Sequence, residues 1–257
     1  MVLLHLVDLD PRLAALRPLG GFFLLRVAAQ PPRPLPTLAG VYANQSSDVY
    51  GNALTFRVRK VSGALRAPEE RIGASVAQQG LAARLWSAAL GCAVLYGVVP
   101  DLDPRLLHWD PDGGAPDDLW LTEVRALPGD PDAATLATAV LDGHLVPLSA
   151  ALRAHHRLAP GLLRGNAASA LAGAARQLEQ WARAHGRPAT AARARALTAD
   201  LLAHPLLADT GSRTDTPAGT AFRRRSCCLY YRVPGGGVCG DCCFTRPPRS
   251  SPRAPSG

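Results

Sequence analysis

Arg223-Arg224-Arg225-Ser226-Cys227-Cys228-Leu229-Tyr230-Tyr231-Arg232-Val233-Pro234-Gly235-Gly236-Gly237-Val238-Cys239-Gly240-Asp241-Cys242-Cys243-Phe244 carries five of the six cysteines of a 257-residue chain. A Cys-Cys pair, ten residues and a Cys-x-x-Cys place thiols at both ends of one short loop. Thiolates are soft ligands that select zinc, copper(I) or iron–sulfur centres. Residues 230–233 read as a short β-type segment, and Pro234 with three glycines reads as a turn that reverses the chain. The two cysteine pairs can then meet at the base of a hairpin-like loop. Disulfides belong to small secreted domains, which this long chain, with Cys92 far from the rest, does not resemble. A structural zinc site usually opens with cysteines two to four residues apart, so neighbouring cysteines chelate one ion awkwardly. A binuclear iron–sulfur centre relaxes that constraint, because adjacent thiolates need not share a metal.

This arrangement resembles the C-terminal hallmark of the FhuF-like ferric-siderophore reductases, in which Cys-Cys, ten residues and Cys-x-x-Cys bind a [2Fe-2S] cluster. The likeness covers 224–231 and runs on from Gly235-Gly236 through Cys239-Gly240-Asp241-Cys242. It extends to Ala74-Ser75, Ala83-Arg84-Leu85-Trp86-Ser87, Gly97-Val98-Val99-Pro100-Asp101-Leu102 and Gly165-Asn166-Ala167-Ala168-Ser169-Ala170-Leu171, leaving only the N-terminal quarter outside. The resemblance implies Cys227, Cys228, Cys239 and Cys242 as cluster ligands, with Cys243 outside the pattern as a packed neighbour of Phe244. It also implies an iron–sulfur oxidoreductase that passes one electron to a ferric-siderophore and releases Fe(II), with electrons supplied by a reduced ferredoxin-like protein or a diffusible reductant. Two alternatives stand beside it: a structural zinc-binding interaction module, and a siderophore-binding or biosynthetic protein, since the helical body also resembles that of siderophore synthetases.

Composition bounds the rest. Hydrophobic residues make up 47% and aromatics 5%, so a core of Leu, Ala and Val is expected, which favours packed helices. The net charge of +8 is nearly all arginine, with Lys60 the only lysine. No basic helix with interleaved aromatics is visible, which argues against nucleic-acid binding. Met1 to Asp8 has no basic n-region and makes a poor signal peptide. The longest apolar run, 88–99, is shorter than the roughly 20 residues that span a bilayer. A cytoplasmic chain with no transmembrane segment is expected, and peripheral membrane association stays open. No Gly-x-Gly-x-x-Gly follows a clear strand, so no dinucleotide site is read.

The expected fold is mainly α with a small β component (α+β): a helical body over 1–205, a cluster-binding segment over 206–244 and a disordered tail over 245–257. Helices are expected over 10–27, 69–98, 131–141, 145–158, 162–185 and 189–203 from apolar spacing and caps. Residues 28–40 read as a Pro-rich linker, 53–65 as either strand or helix, and 209–219 as flexible. Short strands at 106–109 and 119–124 flank an Asp-Pro-Asp-Gly-Gly turn. The carboxylates Asp110, Asp112, Asp117 and Asp118 read as solvated there, for want of calcium-loop spacing. Cys92 reads as a buried small hydrophobe, His155 and His156 as surface residues, and Asn166 as a helix cap or a ligand-orienting group. Arg223, Arg224, Arg225 and Arg232 bracket the cysteines. They would favour a reduced, more negative cluster, and Arg224, Arg225 and Arg232 are candidates to attract an anionic ferric complex or an acidic donor.

Overall fold

The structure is a computed structural model that describes residues 9–46, 48–216 and 219–248. At its centre lies α4, Glu70–Tyr96, whose buried residues run round nearly the whole cylinder. Such a helix has to be covered by others. It packs along α7, Pro160–Ala184, and against α3, Ala53–Ala64. The approach of α3 depends on Gly73, where a Cβ would sit 1.9 Å from Ser62 Oγ and 2.8 Å from the Val58 carbonyl. Gly97 ends α4 in the left-handed conformation, at φ 67°. The helix α8, Pro188–Leu202, then returns along α7. The mainly helical fold with a small β component is thus the one expected.

The ambiguous stretch at 53–65 is helical because Asn52 caps it: its Oδ1 accepts from the amides of Leu54 at 3.0 Å and Thr55 at 3.1 Å. The expected helix over 10–27 is shorter. α1 spans Leu9–Ala14, a 3₁₀ turn covers Arg17–Leu19, and Arg26–Val27 forms β1. Pro18 cannot continue an α-helix, and Gly20 takes φ 103°. β1 pairs parallel with β3, Leu119–Leu121, which pairs antiparallel with β2, Leu107–Trp109. The prolines at 31–36 form a strap held to β2, for Trp109 N donates to Pro36 O at 2.9 Å and a ring nitrogen of His108 bonds Leu35 O. Helix α2, Leu38–Ala43, begins inside the proline-rich stretch.

Asp118 departs from the solvated turn. It is 4% exposed and pairs with Arg84, itself 1% exposed, at 2.8 Å. Arg84 also donates to the carbonyls of Gly21 at 2.9 Å, Leu24 at 2.7 Å and Phe22, so one guanidinium ties α4 to the N-terminal loop and the hairpin. Removing one partner of a buried pair strands the other charge, at a cost of about 3–5 kcal/mol.

The two helices expected over 131–158 are continuous. α5, Ala133–Leu136, passes through wider π-type turns at Ala137–Leu145 into α6, Val146–His155. The loosened register takes up Gly143 and the missing N–H of Pro147 without a break. This 23-residue stretch is long and apolar enough to cross a membrane by length and composition, and half of its most apolar window is buried inside the fold. His156, expected at the surface, is 7% exposed, with Nδ1 3.7 Å from a Glu70 carboxylate oxygen. The expected flexible run at 209–219 is instead a hairpin of β4, Gly211–Thr216, and β5, Gly219–Arg224. The signal-peptide reading of 1–8 and the tail from 249 lie outside the described residues.

His144 sits fully buried in the π-type stretch, with Nδ1 2.9 Å from the Tyr42 hydroxyl and Nε2 2.5 Å from the Leu102 carbonyl. The carbonyl requires Nε2 to donate, leaving Nδ1 to accept from Tyr42. Burial lowers the pKa to about 4. The folded state therefore disfavours the proton that the unfolded chain binds near pH 6.5, and stability is lost as pH falls from about 6.5 toward 4. Wild type is expected to lose roughly 2–3 kcal/mol of this term between pH 7 and 4.5. His144→Gln, less stable at neutral pH, should show a flatter dependence in urea titrations; equal slopes in the two proteins would refute the assignment.

Candidate iron–sulfur site

Strand β5 delivers Arg223 and Arg224 to the edge of the cysteine loop, where Arg224 N donates to Asp241 O at 2.9 Å. The first cysteine pair thereby lies beside the second. Leu229 adopts φ 71°, which turns the chain so that its amide meets Cys227 Sγ at 3.2 Å. The expected β-type segment is a 3₁₀ turn, Tyr230–Arg232, because the chain has already reversed at Leu229. Gly235, at φ 71°, supplies a second reversal. The Phe244 amide meets Cys242 Sγ at 3.4 Å, and the rings of Tyr231 and Phe244 close the loop edge to face at 5.6 Å.

Cys228 and Cys239 lie with sulfurs 3.6 Å apart. Cys228 is 3% exposed, whereas Cys227, Cys239, Cys242 and Cys243 are half-buried. Hydrogen bonds from the thiols of Cys227 and Cys239 pull the Cys228 pKa well down, helped by the Tyr230 amide and the charge of Arg224. The same bonds, with burial, raise Cys227 and Cys239. Burial, then the neighbouring Cys242, raises Cys243. Cys92 stands apart in α4, fully buried, its thiol pushed up to about 12 by burial. Among the described residues no three His, Cys, Asp or Glu side chains are set to hold a single ion. A binuclear centre asks for a different arrangement, since adjacent thiolates need not share a metal.

The loop is fastened to the helical body through α7. Asn166 lies in the middle of that helix and caps nothing. Its Nδ2 donates to Ser75 O at 2.9 Å and Ser75 Oγ at 3.1 Å, while its Oδ1 accepts from Arg224 Nη2 at 2.6 Å. Ser75 Oγ in turn donates to the Cys228 carbonyl at 2.8 Å. One turn further along, Ser169 Oγ donates to Asp241 Oδ2 at 2.6 Å, and Arg176 pairs with the same carboxylate at 2.9 Å. Asp241 is 6% exposed between two cysteines, and in the sequence only its position inside Cys-x-x-Cys marks it.

The arginines part company. Arg224 is 2% exposed, reaching Asn166 and the Leu162 carbonyl, and so is removed from any anionic complex in solvent. Arg225 lies out in solvent against Asp209, and Arg232 pairs with Glu69 at 2.6 Å. Arg223 donates to the Cys243 carbonyl at 3.2 Å.

A helical body carrying a five-cysteine loop has the donors of a thiolate-bound metal centre, and comparison with known families makes that centre an iron–sulfur one. Residues 224–244 match the FhuF 2Fe-2S C-terminal domain. Residues 79–213, half of the chain, match the family described as "Ferric iron reductase FhuF-like transporter". The chain belongs to this ferric iron reductase family, and its cofactor is a [2Fe-2S] cluster. Among curated proteins no relative matches the chain at a significant level.

Gly165 is where the docking leaves no room, since a Cβ there would lie 2.3 Å from Ser226 Oγ and 3.2 Å from Arg224 Nη2. Gly165→Ala is expected to turn the Ser226 hydroxyl away from the Gly161 carbonyl and loosen the loop against α7, at a cost of about 1–3 kcal/mol. Limited proteolysis should then cut the segment around the cysteines faster than in wild type. Unchanged cleavage would show that the contact does not hold the loop.

Proposed function

We propose that this protein is a cytoplasmic ferric-siderophore reductase whose [2Fe-2S] cluster is held by Cys227, Cys228, Cys239 and Cys242. The observation that carries the reading is the donor set around these sulfurs. Backbone amides already meet Cys227 and Cys242, as they would meet thiolates. Arg224 keeps Nε and Nη1 buried without partners, a state costly enough to call for an acceptor nearby. A centre of thiolates and sulfides supplies acceptors and the opposing negative charge, so the residues present fit the group.

When bound, the cluster exchanges one electron at a time. Ferric iron in a siderophore is held by hard anionic oxygens, and it takes that one electron and leaves as Fe(II), whose lower charge weakens every bond to the chelator. The electron comes to the protein from a ferredoxin-like protein or a diffusible reductant. Around this step the chain has three tasks. Asn166 and Ser75 hold the Arg224 side chain and the Cys228 carbonyl in place. The burial of Cys228 keeps water from one side of the site. Arg224 adds a fixed positive charge that favours the reduced state, which carries one more negative charge; charge and hydrogen bonds to sulfur are recognised levers on cluster potential.

Cys239→Ser is expected to remove the visible chromophore and the paramagnetic signal of the dithionite-reduced protein, whereas Cys243→Ser keeps both. A Cys239→Ser protein with the wild-type spectrum would overturn the ligand set, and a colourless wild type containing zinc would overturn the reductase reading. Arg224→Gln should lower the midpoint potential, a tenfold shift in the one-electron equilibrium corresponding to about 59 mV. A potential unmoved by the loss of this charge would mean that Arg224 serves docking alone.

A further inference from the structure

Among the described residues, a cavity beside the cysteine loop has Cys239 in its wall. It measures about 350 Å³ and is bounded by four separate segments: the N-terminal loop at Phe22, α4 at Gln79, Ala83 and Ser87, α7 at residues 169–177, and the turn Cys239-Gly240-Asp241. The volume lies in the range of about 300–1,000 Å³ used by small-molecule sites. Four other cavities, including a larger one of about 540 Å³ beside the proline strap, have no cysteine in their walls.

We propose that this cavity is where the ferric complex docks, with part of its oxygen chelate lying against α4 and α7 and its iron brought up to the Cys239 side of the cluster. The inference rests on the reductase reading above and adds the place and the residues. Electron transfer falls steeply with distance, so a reductase needs its substrate next to the cluster. Cys228 faces the protein interior, whereas Cys239 is half-buried and borders the open space.

The lining suits a ligand of oxygen donors on an organic backbone. Ala83, Ala170 and Gly173 keep the floor low, and Gln79 and Gln177 offer amide groups for hydrogen bonding. Phe22, 42% exposed, stands at the rim as a large apolar surface. Arg176 is held in position by Asp241, which leaves the wall nearly neutral while keeping guanidinium N–H groups at the site. The electron count is simple: the ferric ion gains the one electron that the reduced centre gives up, and no bond or proton moves in that step.

Gly173 provides the test. Outside its own helix backbone a Cβ there meets only Arg176 Nη2, at 3.8 Å, so Gly173→Phe starts from an uncrowded position in the cavity wall and places its ring in the cavity. Gly63→Phe, at a position with nothing within 4 Å, is the control for added bulk elsewhere. Each holoprotein, reduced with dithionite under argon, is mixed with a ferric tris-hydroxamate, a ferric tris-catecholate and ferricyanide, and reoxidation is followed by stopped-flow absorbance. Binding of the gallium(III) forms of both chelates, which accept no electron, is measured separately by titration.

With Gly173→Phe we expect at least a tenfold loss of rate and of gallium-chelate affinity for whichever chelate wild type uses. The paramagnetic spectrum and the ferricyanide rate should be unchanged, and Gly63→Phe should match wild type. Wild-type chelate rates and gallium binding in Gly173→Phe overturn the site, as does an equal slowing with ferricyanide. If wild type binds the gallium chelates but its reduced cluster reacts with neither ferric chelate, the reductase reading falls while the cavity stands as a chelate site. Should Gly173→Phe fail to hold the cluster, Phe22→Ala on the exposed rim decides: several-fold weaker gallium-chelate binding supports the site, and unchanged binding overturns it.

Discussion

Asn166 uses both ends of its amide at once. Its nitrogen is spent on Ser75 of α4 and its oxygen on the buried guanidinium of Arg224, while the Ser75 hydroxyl holds the Cys228 carbonyl. Two long helices and a loop with little apolar surface of its own are thus joined by a few polar contacts out of water. Such contacts are worth more inside the protein than at its surface, because leaving any of them unmade costs the desolvation of the group. The loop buries little apolar surface beyond Cys228, Val233 and part of Leu229, so its position depends heavily on these bonds. This explains why a Gly-Asn-x-x-Ser segment far from the cysteines in sequence belongs to the same site. The glycine clears space for Ser226 and Arg224, the asparagine takes the arginine, and the serine takes Asp241.

A second buried arginine does the equivalent work midway along α4. Arg84 satisfies Asp118 and three backbone carbonyls of the N-terminal loop, which fixes the position of Phe22 at the mouth of the cavity beside Cys239. The walls of that cavity are therefore set by two polar anchors on one helix. An apolar core alone would let the loop and the cysteine turn slide with respect to α4. Buried charge resists this: Arg84 meets Asp118 and three carbonyls in this one arrangement, and Arg224 is held through Nη2 by Asn166 and the Leu162 carbonyl.

Much of this was legible in the chain. Apolar spacing located α4, α7 and α8, and alternation with a turn located the β2–β3 pair, because these elements bury a regular face. The cysteine spacing, read through its family resemblance, named the cofactor that the family comparison assigns. What escaped was set by long-range pairing. β1 is two residues long and exists only because β3 lies beside it. The β4–β5 hairpin is mostly exposed along β4, with no apolar alternation to betray it. Pro18 is a stop signal inside the expected first helix, and the apolar spacing on either side of it masks the break. The two arginines that matter most carry no local mark of burial: Arg84 sits in an apolar helix, and Arg224 sits between two arginines that stay nearer the surface.

Burial of Arg224 also gives the site a direction. Its charge and the closed contacts of α4 and α7 lie behind Cys228, where neither solvent nor a chelate can reach, while Cys239 faces the cavity. A positive charge fixed on the inner side stabilises added negative charge on the cluster without being neutralised by an incoming anion, as an exposed arginine would be. The same residue that pins the loop to the body is thus placed to set how readily the cluster holds an electron. Any movement that loosened the Asn166 contact would weaken the docking and change the potential together. With the ligand set proposed above, fold stability and redox poise would be coupled through one guanidinium.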